Sequence, residues 1–140
     1  MRLISGKQML EKARAEGYAV GAFSVHNAEM IQAVLSAAEE ERAPVMLQIG
    51  QRVIQSVGME AMMRLVESIG KSYDVEVSVH LDHSNRFEQV MKALQLSFQS
   101  VMYDGSHLPL DENIANTKQV AKAAHALGVS VEGELGRIAG

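Results

Sequence analysis

The chain has 140 residues, of which 47% are hydrophobic and 21% charged, values typical of one globular domain. Its formal net charge of −4 argues against general attraction to nucleic acid or to an anionic membrane, because both favour a basic face. The absence of cysteine excludes disulfides, cysteine-ligated zinc and thiol nucleophiles. No apolar run approaches the ~20 residues that span a bilayer, and the first residues lack the apolar stretch of a signal peptide. We therefore expect a cytoplasmic protein that binds neither nucleic acid nor membrane.

The opening segment predicts a short helix. Ser5, followed three residues later by Gln8, resembles a capping box, in which the serine side chain accepts a hydrogen bond from the first helical turn. Gly17 is a suitable stop for this helix, because glycine adopts the left-handed conformation without a Cβ clash.

The rest of the chain alternates between strand-length apolar runs and amphipathic helical patterns. The predicted strands lie at residues 19–25, 45–49, 75–81, 100–103 and 129–135. The predicted helices lie at residues 27–42, 59–69, 86–96 and 111–127. Such alternation is typical of parallel βαβ units. It fits both a complete flavodoxin-like sheet and part of a (βα)8 barrel, and periodicity alone does not separate the two.

The densest polar cluster, from His80 to Asn85, lies where the third of these strands ends. Alternate residues of a strand share a face, so we expect His80 and Asp82 to point one way and His83 to begin the loop. An imidazole beside a carboxylate is frequent in catalytic metal sites. The alternative is structural: His80 makes a buried hydrogen bond and Asp82 caps the next helix.

Two further acids recur at equivalent positions. Asp104 follows the fourth strand, and Glu134 lies in the fifth, where Glu132 shares its face and both could be solvated. Because the carboxyl ends of parallel strands face the ligand, Asp82, His83, Asp104 and Glu134 should converge on one rim. An Asp-Gly turn is the simpler interpretation of Asp104. Taken together, the residues predict a metal or proton-transfer site.

Several sequence motifs follow one another along nearly the whole chain. They comprise residues 18–23 with Asn27, 80–83, 100–109, 111–114, 117–118 and 128–136. These segments resemble the signatures of the class II, zinc-dependent fructose- and tagatose-bisphosphate aldolases. The resemblance favours the barrel. It implies an α/β fold of the (βα)8 TIM-barrel type, represented by an N-terminal helix and about five parallel strands. Residues 1–140 would form the N-terminal half of that barrel.

The resemblance also implies a function. Such aldolases cleave fructose- or tagatose-1,6-bisphosphate reversibly to glycerone phosphate and glyceraldehyde 3-phosphate, and Zn²⁺ polarises the ketose carbonyl and stabilises the enediolate. His83 corresponds to the first metal histidine, and Asp82 to the acid that exchanges a proton with the aldehyde oxygen. Asp104 and Glu134 correspond to acids near the metal. Asn27 would approach the substrate, unless it serves only as the N-cap of the following helix.

The chain departs from the family pattern in several places. The two further zinc histidines and the glycine-rich phosphate loops of the family belong to the second half of its barrel, beyond Gly140, so we expect this chain to be inactive by itself. Gly50 stands where several members have serine, and Gln51-Arg52 replaces a small or glycine-rich turn. Ser84 follows the Asp-His pair where glycine is common. The choice between fructose, tagatose and another phosphorylated ketose therefore stays open.

Half a barrel would leave its first and last strands unpaired and its inner face uncovered. Exposed strand edges favour pairing with another chain, so we expect a homo-oligomer or a partly ordered monomer. The competing hypothesis is a non-catalytic remnant or accessory subunit that assembles with a partner supplying the second half-barrel. A flavodoxin-like binding module ranks last, because residues 23–27 lack the glycine-rich cradle that such a site needs.

Overall fold

The computed structural model describes residues 1–136, which form an α/β fold with a single parallel sheet. The strands are β1 (Arg2–Leu3), β2 (Gly21–Ser24), β3 (Val45–Ile49), β4 (Glu76–Ser84), β5 (Ser100–Tyr103) and β6 (Ser130–Gly133). The helices are α1 (Gly6–Glu16), α2 (Ala28–Glu40), α3 (Gln51–Ser56), α4 (Met59–Gly70), α5 (Phe87–Gln95) and α6 (Leu110–His125). Residues 137–140 of the predicted domain lie outside the described residues.

The strands follow one another across the sheet in the order β2-β3-β4-β5-β6, and all pairs are parallel. The short β1 pairs with the beginning of β4, before β5 starts. The Ile4 amide donates to the Val77 carbonyl at 2.9 Å, and the Gln99 amide then donates to the Val79 carbonyl at 3.1 Å. Strands β1 and β5 therefore pair, one after the other, with the same edge of β4.

The two faces of β4 differ in chemistry. Val77, Val79 and Leu81 are fully buried in the apolar core between the sheet and its helices. Because side chains alternate along a strand, Ser78 and His80 point to the opposite, inner face. Both are also fully buried. The core therefore lies on the helix side, and the inner face carries the polar groups.

The structure confirms the predicted helix caps. The Ser5 hydroxyl accepts a hydrogen bond from the Gln8 amide at 3.2 Å, and Gly17 ends α1 with φ of 76°. At α2, the Asn27 side chain accepts a hydrogen bond from the Met30 amide at 2.9 Å. These contacts satisfy amide groups that have no partner within the first helical turn.

Four features of the chain differ from the expectations. Strand β4 continues through His83 to Ser84, so His83 lies in a strand and not in a loop. Strand β6 ends at Gly133, so Glu134 follows the strand instead of lying in it. The extension of β4 depends on a register shift between Leu81 and Ser84 that sequence periodicity does not report. Helix α3 and strand β1 are too short for a periodic signal and were not predicted.

Strands β2 and β6 are the two edges of the sheet, and among the described residues each pairs with one strand only. All four residues of β2 are exposed, and the Phe23 side chain at this edge is 51% exposed. On the opposite side, β6 is followed by Leu135, which is 78% exposed. The five strands from β2 to β6 confirm the predicted partial barrel. Among the described residues, no helix has the length and apolar character needed to cross a membrane.

Candidate metal centre

Three of the predicted site residues meet at the carboxyl ends of β4, β5 and β6. The Nδ1 atom of His83 lies 3.1 Å from Oδ2 of Asp104 and 3.6 Å from Oε2 of Glu134. One donor atom from each residue lies within 4.8 Å of the others. Strand ends that are neighbours in a parallel sheet therefore bring one imidazole and two carboxylates to a single point.

The position of His83 depends on the irregular end of β4. His83 has φ of 50°, in the left-handed region that few non-glycine residues adopt. The register shift between Leu81 and Ser84 spans this residue. The His83 side chain is half exposed and reaches Asp104, the residue after β5. Regular alternation along β4 would instead direct His83 to the helix side, like Leu81.

Asp104 is held by its backbone and by its own side chain. Its amide donates to the Ser84 carbonyl at 2.7 Å, which continues the pairing of β5 with β4 beyond Tyr103. Its Oδ1 atom accepts a hydrogen bond from the Ser106 amide at 3.0 Å. Oδ2 is thus left to face His83.

Helix α6 fixes the segment that carries Glu134. The buried Asn113 side chain donates to the Glu134 carbonyl at 2.8 Å. Thr117 in turn donates to Oδ1 of Asn113 at 3.2 Å. Gly105 leaves the space for this amide, since a Cβ atom there would overlap the Asn113 side chain.

The charges of the cluster shift the pKa values of its members. The hydrogen bond with Asp104 raises the pKa of His83, and the negative charges of Asp82, Asp104 and Glu134 add to this effect. Burial would raise the pKa of Asp104, but hydrogen bonds from Ser106 and His83 outweigh it and hold that pKa below its ordinary value. The two carboxylates thus favour a positive charge at the site of His83.

Asp82 lies beside this cluster but belongs to a different environment. It is half-buried, and Gln48 at the end of β3 donates to its Oδ1 atom at 3.3 Å. Burial raises the pKa of this carboxyl group, and the neighbouring His83 only partly opposes the shift. A carboxyl group with a raised pKa is suited to exchange protons near neutral pH.

His80 lies deeper on the inner face. Its Nδ1 atom lies 2.8 Å from the Ser100 hydroxyl, and its Nε2 atom lies 3.5 Å from Oε2 of Glu132 without a hydrogen bond. Burial, with a smaller contribution from the charge of His83, lowers the pKa of His80 to about 4. His80 is therefore neutral at pH 7 and belongs to the buried framework of β4 rather than to the exposed cluster.

The His83, Asp104 and Glu134 side chains fit a zinc ion by their chemistry. Imidazole nitrogen and carboxylate oxygen are ordinary Zn²⁺ ligands, bound at about 2.0–2.2 Å. Two ligands of a tetrahedral ion at that distance are separated by roughly 3.4 Å. The two measured separations from His83 Nδ1, 3.1 and 3.6 Å, bracket this value.

Asn27 follows β2, so it lies at the same end of the sheet as the cluster. Its side-chain oxygen accepts a hydrogen bond from the Met30 amide, which makes it the N-cap of α2. The N-cap alternative is therefore present in the structure. Contact of Asn27 with a substrate stays a prediction, as do the catalytic role of Asp82 and the metal-binding roles of the other three residues.

Three glutamines near the cluster were not identified from the sequence. Gln48 and Gln51 contact Asp82, and Gln89 contacts Gln51. These contacts join residues that are 31 to 38 positions apart. No sequence motif links glutamines at such distant positions. The only sign in the sequence was Gln51-Arg52, which stands where a small or glycine-rich turn was expected.

Comparison with known proteins assigns the chain to a family. The family model of class-II fructose-bisphosphate aldolase matches residues 4–140. The chain belongs to the class II fructose-bisphosphate aldolase family. It is 56% identical to the sulfofructosephosphate aldolase of Alkalicoccus urumqiensis over the whole chain, which covers 49% of that relative. It is 49% identical to the fructose-bisphosphate aldolase of Thermus caldophilus over 99% of the chain and 45% of that relative. The chain thus spans about half the length of the curated relatives it matches.

Solved structures support the fold assignment. The YdjI aldolase from Escherichia coli K12 superposes with a TM-score of 0.90 at 32% identity, covering 99% of this chain and 54% of that one. A putative fructose-1,6-bisphosphate aldolase from Coccidioides immitis superposes with a TM-score of 0.87 at 33% identity, covering 96% and 47%. The partial barrel of this chain is therefore similar to about half of an aldolase barrel.

Proposed function

We propose that this chain supplies the metal-binding and proton-transfer half of a zinc-dependent class II ketose-bisphosphate aldolase. The observation that supports this most is the meeting of His83, Asp104 and Glu134 at one rim, with donor atoms within 4.8 Å of one another. These three residues would hold the ion. When bound, Zn²⁺ would polarise the ketose carbonyl and stabilise the negative charge that develops as the carbon–carbon bond breaks.

Asp82 would perform the proton transfer. In the cleavage direction its carboxylate accepts the proton of the hydroxyl group that becomes the aldehyde oxygen, and in the condensation direction it returns that proton. Its half-buried position and its raised pKa suit both directions, because a carboxylate with a pKa nearer to neutrality accepts a proton more readily and can still return it at neutral pH. The hydrogen bond from Gln48 would orient the carboxylate for this step.

The proposed substrates are phosphorylated ketoses, with glycerone phosphate as one product. Fructose and tagatose 1,6-bisphosphate are the first candidates. The relatives named above add a third, because one of them is named for sulfofructose phosphate and shares 56% identity with this chain. Gly50 bears on the choice among these substrates. A Cβ atom there would lie 3.4 Å from Oδ2 of Asp82, so the residue at this position directly borders the proposed proton-transfer group.

A second candidate function rests on the open sheet. Strands β2 and β6 end the sheet, and an eight-stranded barrel would need about three further strands between them. A partner half-barrel with about three strands would fill this gap, whereas a second copy of this chain would bring its own five. On this alternative, the chain is an accessory half that acts only when the complementary half is present.

The test is zinc-dependent cleavage of the three candidate ketoses by the purified chain, alone and co-expressed with the second half of the Thermus caldophilus aldolase. We expect the chain alone to be inactive, and the chain with the added half to show cleavage that a chelator abolishes and that Asp82→Asn reduces by about 10³-fold. Cleavage by the chain alone would contradict the accessory alternative. Equal rates for the wild type, Asp82→Asn and His83→Ala would overturn the assignment of roles in both cases.

A further inference from the structure

A chain of side-chain hydrogen bonds encloses His83 without touching it. The Ser84 hydroxyl donates to Oε1 of Gln89 at 2.7 Å, and Nε2 of Gln89 donates to Oε1 of Gln51 at 2.9 Å. Nε2 of Gln51 then donates to the carbonyl oxygen of Asp82 at 2.9 Å. The chain begins at the residue after His83 and ends at the residue before it.

Every link in this chain uses a matched donor and acceptor. Each glutamine accepts with its amide oxygen and donates with its amide nitrogen, so neither amide is left half satisfied. Ser84 is fully buried, and both glutamines are partly buried. Hydrogen bonds in such surroundings restrict motion more than exposed ones, because water competes less for the same groups.

The chain also joins three separate elements. Gln51 begins α3, Gln89 lies in α5, and Asp82 and Ser84 belong to β4. Two helices therefore hold the strand at the two residues that flank the left-handed His83. That conformation is unfavourable for a residue with a side chain and persists only where its surroundings enforce it.

We propose that Gln51, Gln89 and Ser84 are positioning residues of the candidate metal centre. They hold the backbone on both sides of His83, and this keeps Nδ1 directed at Asp104 and Glu134. These three side chains form a clamp around His83. The positioning role concerns the same site as the proposed function, and its effect on zinc affinity rests on that function.

The clamp makes a prediction that needs no metal. The Asp104 amide donates to the Ser84 carbonyl, so a loosened Ser84 exposes this amide to exchange with solvent. In the metal-free protein, Gln89→Leu and Ser84→Ala should each accelerate hydrogen exchange of the Asp104 amide by about tenfold or more. The matched control is Gln95→Leu, an exposed glutamine of the same helix, which should leave that exchange unchanged.

Zinc binding is the second readout. We expect the dissociation constant for Zn²⁺ to rise about 10-fold or more in Gln89→Leu and Ser84→Ala, although no ligand is removed, and to stay unchanged in Gln95→Leu. Unchanged Asp104 exchange in both variants would overturn the proposal, and so would unchanged zinc affinity beside accelerated exchange. Faster exchange throughout the sheet would also overturn it, because the variants would then act on global stability. If the wild type binds no zinc while the two variants still accelerate exchange only near Asp104, the clamp stands and the proposed metal function fails.

Discussion

The Nδ1 atom of His83 lies 3.1 Å from Oδ2 of Asp104, although the two residues are 21 positions apart, one in β4 and the other directly after β5. The contact exists because β4 and β5 are parallel neighbours whose carboxyl ends share one rim. Its geometry depends on the left-handed backbone of His83, which turns the imidazole toward β5. The relation between these two residues defines the candidate metal centre.

Removal of the His83 imidazole should weaken zinc binding strongly. His83→Ala leaves two carboxylates, and we expect the dissociation constant for Zn²⁺ to rise by about 100-fold, measured by competition with a chromophoric chelator. The matched control is His107→Ala, because His107 is an exposed histidine three residues after Asp104 on the same rim. Equal losses in the two variants would show that the chain binds zinc nonspecifically through surface histidines.

Asn113 should support the position of Glu134. Asn113→Ala removes the donor to the Glu134 carbonyl from a buried site, and we expect a loss of about 1–3 kcal/mol in the free energy of unfolding. Zinc affinity should fall as well, because the segment that carries Glu134 is released. The comparison is Asn116→Ala in the same helix, whose side chain donates to the Tyr103 hydroxyl instead. Zinc affinity that is equal in both variants would contradict the role of Asn113.

Stability should decrease below neutral pH because of His80. Its folded-state pKa of about 4 lies below the ordinary value of 6.5, so between these values the unfolded state binds the proton and the folded state does not. The contribution of neutral, buried His80 is therefore present above pH 6.5 and is lost as the pH falls toward 4. From about pH 7 to pH 5 we expect the contribution of His80 to fall by about 2 kcal/mol, measured by urea unfolding of the wild type and of a variant without this imidazole.

The variant that checks this pH dependence is His80→Gln, which keeps a polar side chain but does not titrate. Its stability should change less between the two pH values than that of the wild type, by about the same 2 kcal/mol. His125→Gln, at an exposed position at the end of α6, should behave as the wild type does. A wild-type slope in His80→Gln would assign the pH dependence to other groups.

The exposed edge of the sheet should drive self-association. If the chain forms homo-oligomers through β2, burial of the exposed half of Phe23 would contribute about 0.8–1.5 kcal/mol, and Phe23→Lys, which also places a charge in the contact, should weaken association by about tenfold or more. Sedimentation equilibrium measures this directly. Val57→Lys, at a 43% exposed apolar position at the end of α3, is the control and should leave association unchanged. A stable wild-type monomer with cooperative unfolding would contradict the predicted homo-oligomer.

Local signals in the sequence were sufficient for the main elements. Ser5 and Asn27 mark helix starts by the type of side chain that caps a helix, and both caps occur in the structure. The alternation of apolar runs located the five principal strands, because a buried parallel strand needs apolar residues on the face that packs against helices. The order of the polar strand ends then indicated that Asp104 and Glu134 would lie near His83.

Long-range geometry could not be predicted in the same way. The left-handed backbone of His83 depends on a register shift between two strands, and histidine itself carries no sign of it. The contacts of Gln51 with Asp82 and Gln89 depend on the packing of α3 and α5 beside β4, and glutamine occurs too widely to mark them. The neutral state of His80 likewise depends on complete burial, which a single residue letter does not reveal.

The most direct test of the account is a crystal of the protein soaked in Zn²⁺ and measured at the zinc absorption edge. We predict one strong anomalous peak between Nδ1 of His83 and the carboxylate oxygens of Asp104 and Glu134, about 2.0–2.2 Å from each ligand atom. The peak should disappear in His83→Ala crystals. If the strongest anomalous peak lay elsewhere, or if no peak lay near these three side chains at saturating zinc, the assignment of the metal centre would be contradicted.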